Sequence, residues 1–322
     1  MLKTIRDLLD PYLLLMLVVV GIAALLPAHG QGAVAAGIAA NIGIIFLFFL
    51  YGTRLSPEAA ISGFTQWKLH IAILMSSFLL FPALGLALTA LTRTIVSPII
   101  VSGILYLCVL PSTVQSSIAF TSIARGNVPA AVCAASASNI LGVIVSPILV
   151  AWLLQMQHVQ LSFGVVRDIA LQLLLPFVAG QLMRPWVGEW IQRHKGVLGY
   201  ADRGSILLII YVAFSKSMID NIWHRVDAGD LLILLVILFI LLGLALTITG
   251  FIGRRLMHMS TEDEIVLQFC GSKKSLASGL PMATILFSGP KLGMIILPLM
   301  LFHQVQLIVC AILARRYAAR LT

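Results

Sequence analysis

Long apolar runs, separated by short clusters of charge, set the pattern of this chain. An α-helix needs about 20 mostly apolar residues to cross the hydrocarbon of a bilayer. At that length the sequence divides into ten runs, over 10–27, 34–53, 69–91, 97–122, 128–154, 165–184, 203–220, 230–252, 263–287 and 291–314. The pattern predicts an all-α, polytopic membrane protein with ten transmembrane helices and short connections. One connection is longer, from Pro185 to Gly204, where Trp186, Trp190, Ile191 and Leu198 alternate with Glu189, Arg193 and Lys195. That mixture predicts an amphipathic linker lying at the membrane interface between two halves.

The halves resemble each other at half the chain length, which predicts a first five-helix repeat over 1–160 and a second over 161–322. Span two ends in Tyr51-Gly-Thr-Arg54 and span seven in Ala213-Phe-Ser-Lys216. Span four is interrupted by Leu110-Pro-Ser-Thr-Val-Gln-Ser-Ser117, and span nine by Gly271-Ser-Lys-Lys-Ser-Leu-Ala-Ser-Gly279. Five spans is an odd number, so the second repeat enters the membrane inverted relative to the first. Inverted repeats with paired, discontinuous helices are the architecture of secondary transporters, whose sites lie near the midplane.

Charge sets the orientation. Fourteen lysines and arginines fall on the side of the N-terminus, Lys3, Arg6 and Arg54 among them, against Arg93, Arg167, Arg225 and Lys291 on the other. Positive loops stay cytoplasmic, so both termini are expected in the cytoplasm, at the inner (plasma) membrane if the source is bacterial. The chain is 60% hydrophobic and 10% charged, with a net charge of +9. Because the basic residues are scattered singly at the edges of apolar runs, that charge excludes a nucleic-acid-binding face. The partner that composition does define is the lipid bilayer. The four cysteines have no metal-like spacing, and no cofactor is implied by the residues. No acid, base and nucleophile set converges, so an enzyme is not expected.

The chemistry concentrates at the two interruptions. Proline and glycine breaks free backbone groups that hydrocarbon cannot satisfy, so they are tolerated where protein, water or ligand supplies partners. Pro111, Ser112, Thr113, Gln115, Ser116 and Ser117 surround the first break; Gln268, Ser272, Ser275 and Ser278 surround the second. Ser76 and Ser77 on span three and Ser136, Ser138 and Asn139 on span five add oxygens. Lys273 and Lys274 stand inside span nine, where a charge costs at least about 2.5 kcal/mol and marks a functional site. All twelve acidic residues fall at segment ends or in loops. A cavity with positive charge and no carboxylate at mid-membrane depth favours an anionic ligand. Lys216 and Asp220 are expected to form an i,i+4 pair.

The ten-span pattern, the Pro-broken span four followed by Ala124-Arg-Gly-Asn-Val128, and the run Phe269-Cys-Gly-Ser-Lys-Lys-Ser-Leu-Ala-Ser-Gly-Leu-Pro-Met-Ala283 resemble the bile acid:sodium symporter family, in its divergent SBF-like branch. The resemblance implies a panel domain of helices one, two, six and seven, and a core domain of helices three to five and eight to ten. Helices four and nine would cross at their breaks, with sodium behind the crossing and substrate in the crevice between the domains. The family's sodium ligands fall on Ser77, Ser116, Ser117, Gln268, Ser272 and Lys273, with Ala131 and Ala135 replacing two hydroxyls and Ser136 and Asn139 nearby. The shared glutamate is thus a glutamine and one ligand is a lysine. These departures argue against copying sodium coupling to this chain. Lys273 or Lys274 is expected to act as a built-in cation, hydrogen-bonded to Ser112, Ser116 or Gln268, or to couple transport to protons. Pro111, Ser112, Thr113, Gln115, Lys274, Ser275 and Ser278 are expected to line the substrate crevice.

The function expected is a secondary active transporter of a small organic anion, working by alternating access. The alternative is a non-transporting membrane regulator or receptor on the same fold, acting on cation homeostasis.

Overall fold

The computed structural model describes residues 11–54, 66–155, 167, 170–220, 228–287 and 289–321. Lys3, Arg6 and Arg225, which enter the charge count, lie outside the described residues. Among the described residues every regular element is helical. In chain order these are α1 (Pro11–Leu25), α2 (Gly30–Arg54), α3 (Trp67–Thr92, wound as a π-turn over Ser76–Leu80), α4 (Pro98–Cys108), α5 (Gln115–Ile123) and α6 (Val128–Gln155). Then follow a π-turn (Ala170–Leu174), α7 (Leu175–Arg193), α8 (Lys195–Ile219), α9 (Ala228–Phe251, closing in a π-turn over Ile252–Leu256), α10 (Thr261–Gly271), α11 (Leu276–Leu286) and α12 (Leu292–Ala318).

By length and composition six of these helices can cross a bilayer, over Gly30–Thr53, Trp67–Thr92, Val128–Leu153, Lys195–Ile219, Gly229–Leu256 and Leu292–Ala318. Two shorter stretches, Leu14–Leu25 and Pro98–Cys108, are also apolar. The large side chains that remain exposed are those hydrocarbon would cover, such as Leu14, Val18, Ile38, Ile42, Leu79 and Ile148. The chain is therefore an integral membrane protein.

Two expectations are corrected. The segment from Pro185 to Gly204 is not a separate interfacial linker. Its first part continues α7 through Pro185 to Arg193, and Lys195 already begins α8. Charged residues ended the predicted spans there, yet Glu189 and Arg193 pair at 3.1 Å on an exposed helix face, one turn apart. Lys216 and Asp220 meet only through the backbone, Asp220 N donating to Lys216 O at 3.2 Å.

Packing follows from small residues. α2 lies closest to α7: a Cβ on Gly52 would stand 2.0 Å from Phe177 O, and one on Gly180 would stand 2.1 Å from Phe49 O. α1 and α2 also pack on α8. Elsewhere α12 runs against α4, with a Cβ on Gly103 reaching 2.6 Å from Ile295 O, and α10 packs among α3, α5, α6 and α9. At one end of that group Arg254 Nε donates to Glu264 Oε1 at 2.6 Å, and Tyr317 Oη donates to the same oxygen at 2.6 Å. Glu264 is thereby buried with its charge paired.

Gly52→Ala and Gly180→Ala are each expected to destabilise the protein by about 1–3 kcal/mol through overpacking. Gly243→Ala, whose Cβ would meet nothing within 4 Å, is expected to be neutral in the same thermal-unfolding comparison in detergent.

Candidate functional site

The fourth and ninth spans are each broken into two helices. Residues 109–114 separate α4 from α5, and residues 272–275 separate α10 from α11. Away from water each freed backbone group needs a partner inside the protein, and the two breaks supply much of what the other lacks. Ser275 N donates to Pro111 O at 2.8 Å, stitching the breaks together directly. Thr113 Oγ1 donates to Lys274 O at 3.2 Å, and Ser117 Oγ donates to Phe269 O at 2.9 Å. From α6, Ser146 Oγ reaches Val109 O at 2.7 Å, Asn139 Nδ2 reaches Ser112 O at 2.7 Å, and Ser138 Oγ accepts from Ser112 N at 3.0 Å. From α12, Gln306 holds both sides of one peptide unit, accepting from Lys274 N and donating to Lys274 O, each at 2.9 Å.

Lys274 closes the account at α4. Its Nζ donates to Ser77 O at 2.7 Å, Cys108 O at 2.8 Å and Leu110 O at 2.7 Å, so all three ammonium protons are used. Two of these carbonyls belong to the C-terminal end of α4, the negative pole of that helix; the third is presented by the π-turn of α3. The ring of Phe81 lies 4.3 Å away, in cation–π range. This is how backbone oxygens hold a bound cation, with the cation tethered to the chain.

Lys273 is set differently. Among the described residues its Nζ has one hydrogen-bond acceptor, Ser116 Oγ at 3.1 Å. The rings of Phe120 and Phe269 stand at 4.5 and 5.8 Å and contribute the remaining attraction. Both lysines are completely buried.

On the other side of the breaks lies a crevice of about 670 Å³. Thr113, Gln115, Ser116, Ser136, Asn139, Ser275 and Ser278 form its polar wall. Two helices begin there. α5 starts at Gln115 with no side-chain cap, and α11 starts behind Ser275, whose Oγ accepts from Ser278 N at 3.2 Å. Both positive helix ends are thus turned to one cavity. Ser278 Oγ donates to Asn139 Oδ1 at 2.6 Å and fixes the amide that spans from α6 to the first break. The facing wall comes from α1, α2, α7 and α8, with Tyr12, Tyr51, Phe177, Lys195 and Arg203.

Several expected placements change. Lys274, Pro111 and Ser112 do not line the crevice: Lys274 turns toward α3 and α4, and Pro111 and Ser112 are sealed by α6. Gln268 bonds neither lysine; its Nε2 donates to Leu246 O at 2.8 Å, and Ser272 Oγ caps Gln268 O within its own helix. Ser77 acts through its carbonyl, not its hydroxyl. The acidic residues are not all at segment ends, because α8 starts early enough to put Asp202 inside a helix, buried and on the crevice wall. Gln306 and His303 of α12, bonded to each other at 3.0 Å, were not anticipated; an amide in an apolar span was the available sign of the first. The carbonyls of Cys108 and Leu110 leave no sign, since every residue carries one.

Paired helix breaks stitched to each other, a lysine held between them and a polar crevice beside them are features of a membrane transporter. The chain belongs to the SBF-like CPA transporter family, whose model matches residues 10–319. It is 52% identical over 316 residues to Uncharacterized protein PA2026 of Pseudomonas aeruginosa, covering 98% of this chain and 95% of that protein. It is 48% identical over 309 residues to "Putative symporter YfeH" of Escherichia coli K12, covering 96% and 93%. Sodium/bile acid cotransporter 7 of Rattus norvegicus is 27% identical over 274 residues, covering 84% and 81%.

Lys274→Met leaves three buried carbonyls without a donor, at about 1–3 kcal/mol each. It is expected to destabilise the protein by roughly 3 kcal/mol or more. Lys273→Met removes one hydrogen bond and is expected to cost about 1 kcal/mol; thermal unfolding of the two variants side by side checks the order.

Proposed function

We propose that this protein is a secondary active transporter that moves a small organic anion across the membrane by alternating access. The observation that carries the reading is that the N-terminal ends of α5 and α11 open onto one crevice. Half-helix N-termini aimed at a midplane cavity are suited to a carboxylate, sulfonate or similar group. On the facing wall Lys195 and Arg203 outnumber Asp202, the one acidic residue among the described lining residues, and Tyr51, Phe177, Ile140 and Leu276 give an apolar body somewhere to lie.

In this reading α1, α2, α7 and α8 form the panel, and the helices around the two breaks form the core that moves against it. The two halves are inverted repeats of five spans. With both termini cytoplasmic, the mouth of the crevice, beside Tyr12 and the first turns of α8, opens to the cytoplasm in this reading. At the far end Ser217 Oγ donates to Pro290 O at 2.6 Å and accepts from Gly293 N at 3.1 Å, a contact between α8 and the start of α12 that closes the outer face.

The lysines divide the cation's work. Lys274, saturated by three carbonyls, stands as a permanent internal cation where a bound sodium ion would otherwise bridge the broken helices. Lys273, with a single hydrogen bond to a serine that lines the crevice, is the lysine placed to exchange a proton or feel the substrate's charge. Transport then runs without sodium.

Uptake of labelled small carboxylates and sulfonates into proteoliposomes, with sodium and pH gradients imposed separately, tests this. Uptake that ignores sodium and falls at least tenfold in Lys274→Ala is expected, as is loss of any pH-gradient dependence in Lys273→Met. Sodium dependence that survives Lys274→Ala would refute the internal-cation reading, and no movement of any solute under any gradient would refute transport.

A further inference from the structure

Three segments among the described residues are wound as π-turns, Ser76–Leu80, Ala170–Leu174 and Ile252–Leu256. Such turns are rare and concentrate at functional sites. Two of the three meet. Ser76, Leu79 and Leu80 of the first and Ile252 of the second line a groove of about 650 Å³ that shares no lining residue with the crevice. The small side chains of Ala72 and Ala83 deepen it, and Trp67, Ile71 and Met75 stand along it about half exposed. Ser76 turns its hydroxyl away, donating to Ala72 O at 2.7 Å, so the wall is almost wholly apolar.

One end is different. Trp67 and Lys68 sit at the start of α3, with Lys68 Nζ 5.7 Å from the indole ring centre. A tryptophan beside a lysine at the end of a spanning helix is an anchor at headgroup level. Arg255 stands in the second π-turn beside Arg254, which is held by Glu264, and among the described residues no acidic residue lines the groove. From Trp67 to Leu80 the helix rises about 20 Å, at 1.5 Å per residue, which matches one acyl chain running from the headgroups toward the midplane. At that depth a water-borne partner has no access; the occupant is hydrocarbon with an anionic head.

We propose that this groove binds one acidic phospholipid of the cytoplasmic leaflet, its phosphate at Lys68 beside Trp67 and one acyl chain against the paired π-turns. The site rests on the membrane placement and orientation given above. Its floor reaches the lysine crossing. Ser77, next to Ser76 in the same π-turn, supplies a carbonyl to Lys274 Nζ, and a Cβ on Gly271 would stand 3.2 Å from Ser76 Cβ. A chain seated on the π-turn therefore bears on the carbonyl that holds the internal cation.

Trp67 supplies the probe. A full-length variant with Trp152, Trp186, Trp190 and Trp223 replaced by Phe is placed in phosphatidylcholine nanodiscs. These are doped with brominated phosphatidylglycerol or with brominated phosphatidylcholine of the same chains. Quenching of Trp67 is expected at about fivefold lower content of the glycerol lipid, the ratio for one lysine near an anionic surface at about 1 kcal/mol. Lys68→Gln is expected to abolish the preference, and Ala83→Phe to weaken quenching by both lipids. Equal quenching by the two lipids, or a preference that survives Lys68→Gln, overturns the site and leaves the transporter reading standing. Quenching by neither lipid at any content puts α3 outside the hydrocarbon and overturns the membrane placement itself.

Discussion

Hydrocarbon offers no hydrogen bonds, and two helices of this protein come undone where none is available. Everything around the breaks follows from that constraint. Val109, Pro111, Ser112, Phe269 and Lys274 have their main-chain groups taken by Ser146, Ser275, Asn139, Ser138, Ser117, Thr113 and Gln306. The carbonyls of Cys108 and Leu110 fall to a single ammonium. A lysine in this position resolves two difficulties at once, because the buried charge and the unpaired carbonyls satisfy each other.

The same geometry separates the poles of the broken helices. The negative end of α4 is turned inward onto Lys274, while the positive ends of α5 and α11 face the crevice. A cation fixed behind the breaks and donors displayed in front make the crossing side of the cavity positive, while the facing wall carries Lys195, Arg203 and one carboxylate, Asp202. The glycines keep this arrangement tight. A Cβ on Gly142 would lie 2.6 Å from Pro111, and one on Gly279 would lie 2.4 Å from Leu110, so α6 and α11 can close on the first break only where those side chains are missing.

Much of this was legible in the sequence, for reasons that can be named residue by residue. Apolar runs report the hydrocarbon, and Pro111, Gly271 and Gly279 report the breaks within it. Lys273 and Lys274 announced themselves by their energetic cost. Hydropathy, however, measures depth in the membrane and not helicity, so it lost the ends of α7 and α8, which continue with charged residues past the apolar zone. Because the apolar pattern starts the seventh span only at 203, Asp202 falls at a segment end there, whereas the helix puts it on the crevice wall. The partners of Lys274 were illegible for a deeper reason. They are carbonyls, selected by the α3 π-turn and the end of α4, and backbone carries no side-chain signature. Gln268 misled in the opposite way, an amide at a site-like position whose bond runs outward to Leu246.

The reciprocal stitching also bears on how the chain is made. Within the first half, Ser146, Ser138 and Asn139 can settle Val109 and Ser112 as soon as α6 is in the membrane. Cys108, Leu110 and Pro111 must wait for Lys274 and Ser275, more than 160 residues later in the chain. Until synthesis reaches them, the nascent first half holds open carbonyls that only water or a helper protein can occupy. Maturation of the stitched breaks is thus a late, long-range step, and residues up to the end of α6 cannot satisfy the first break by themselves.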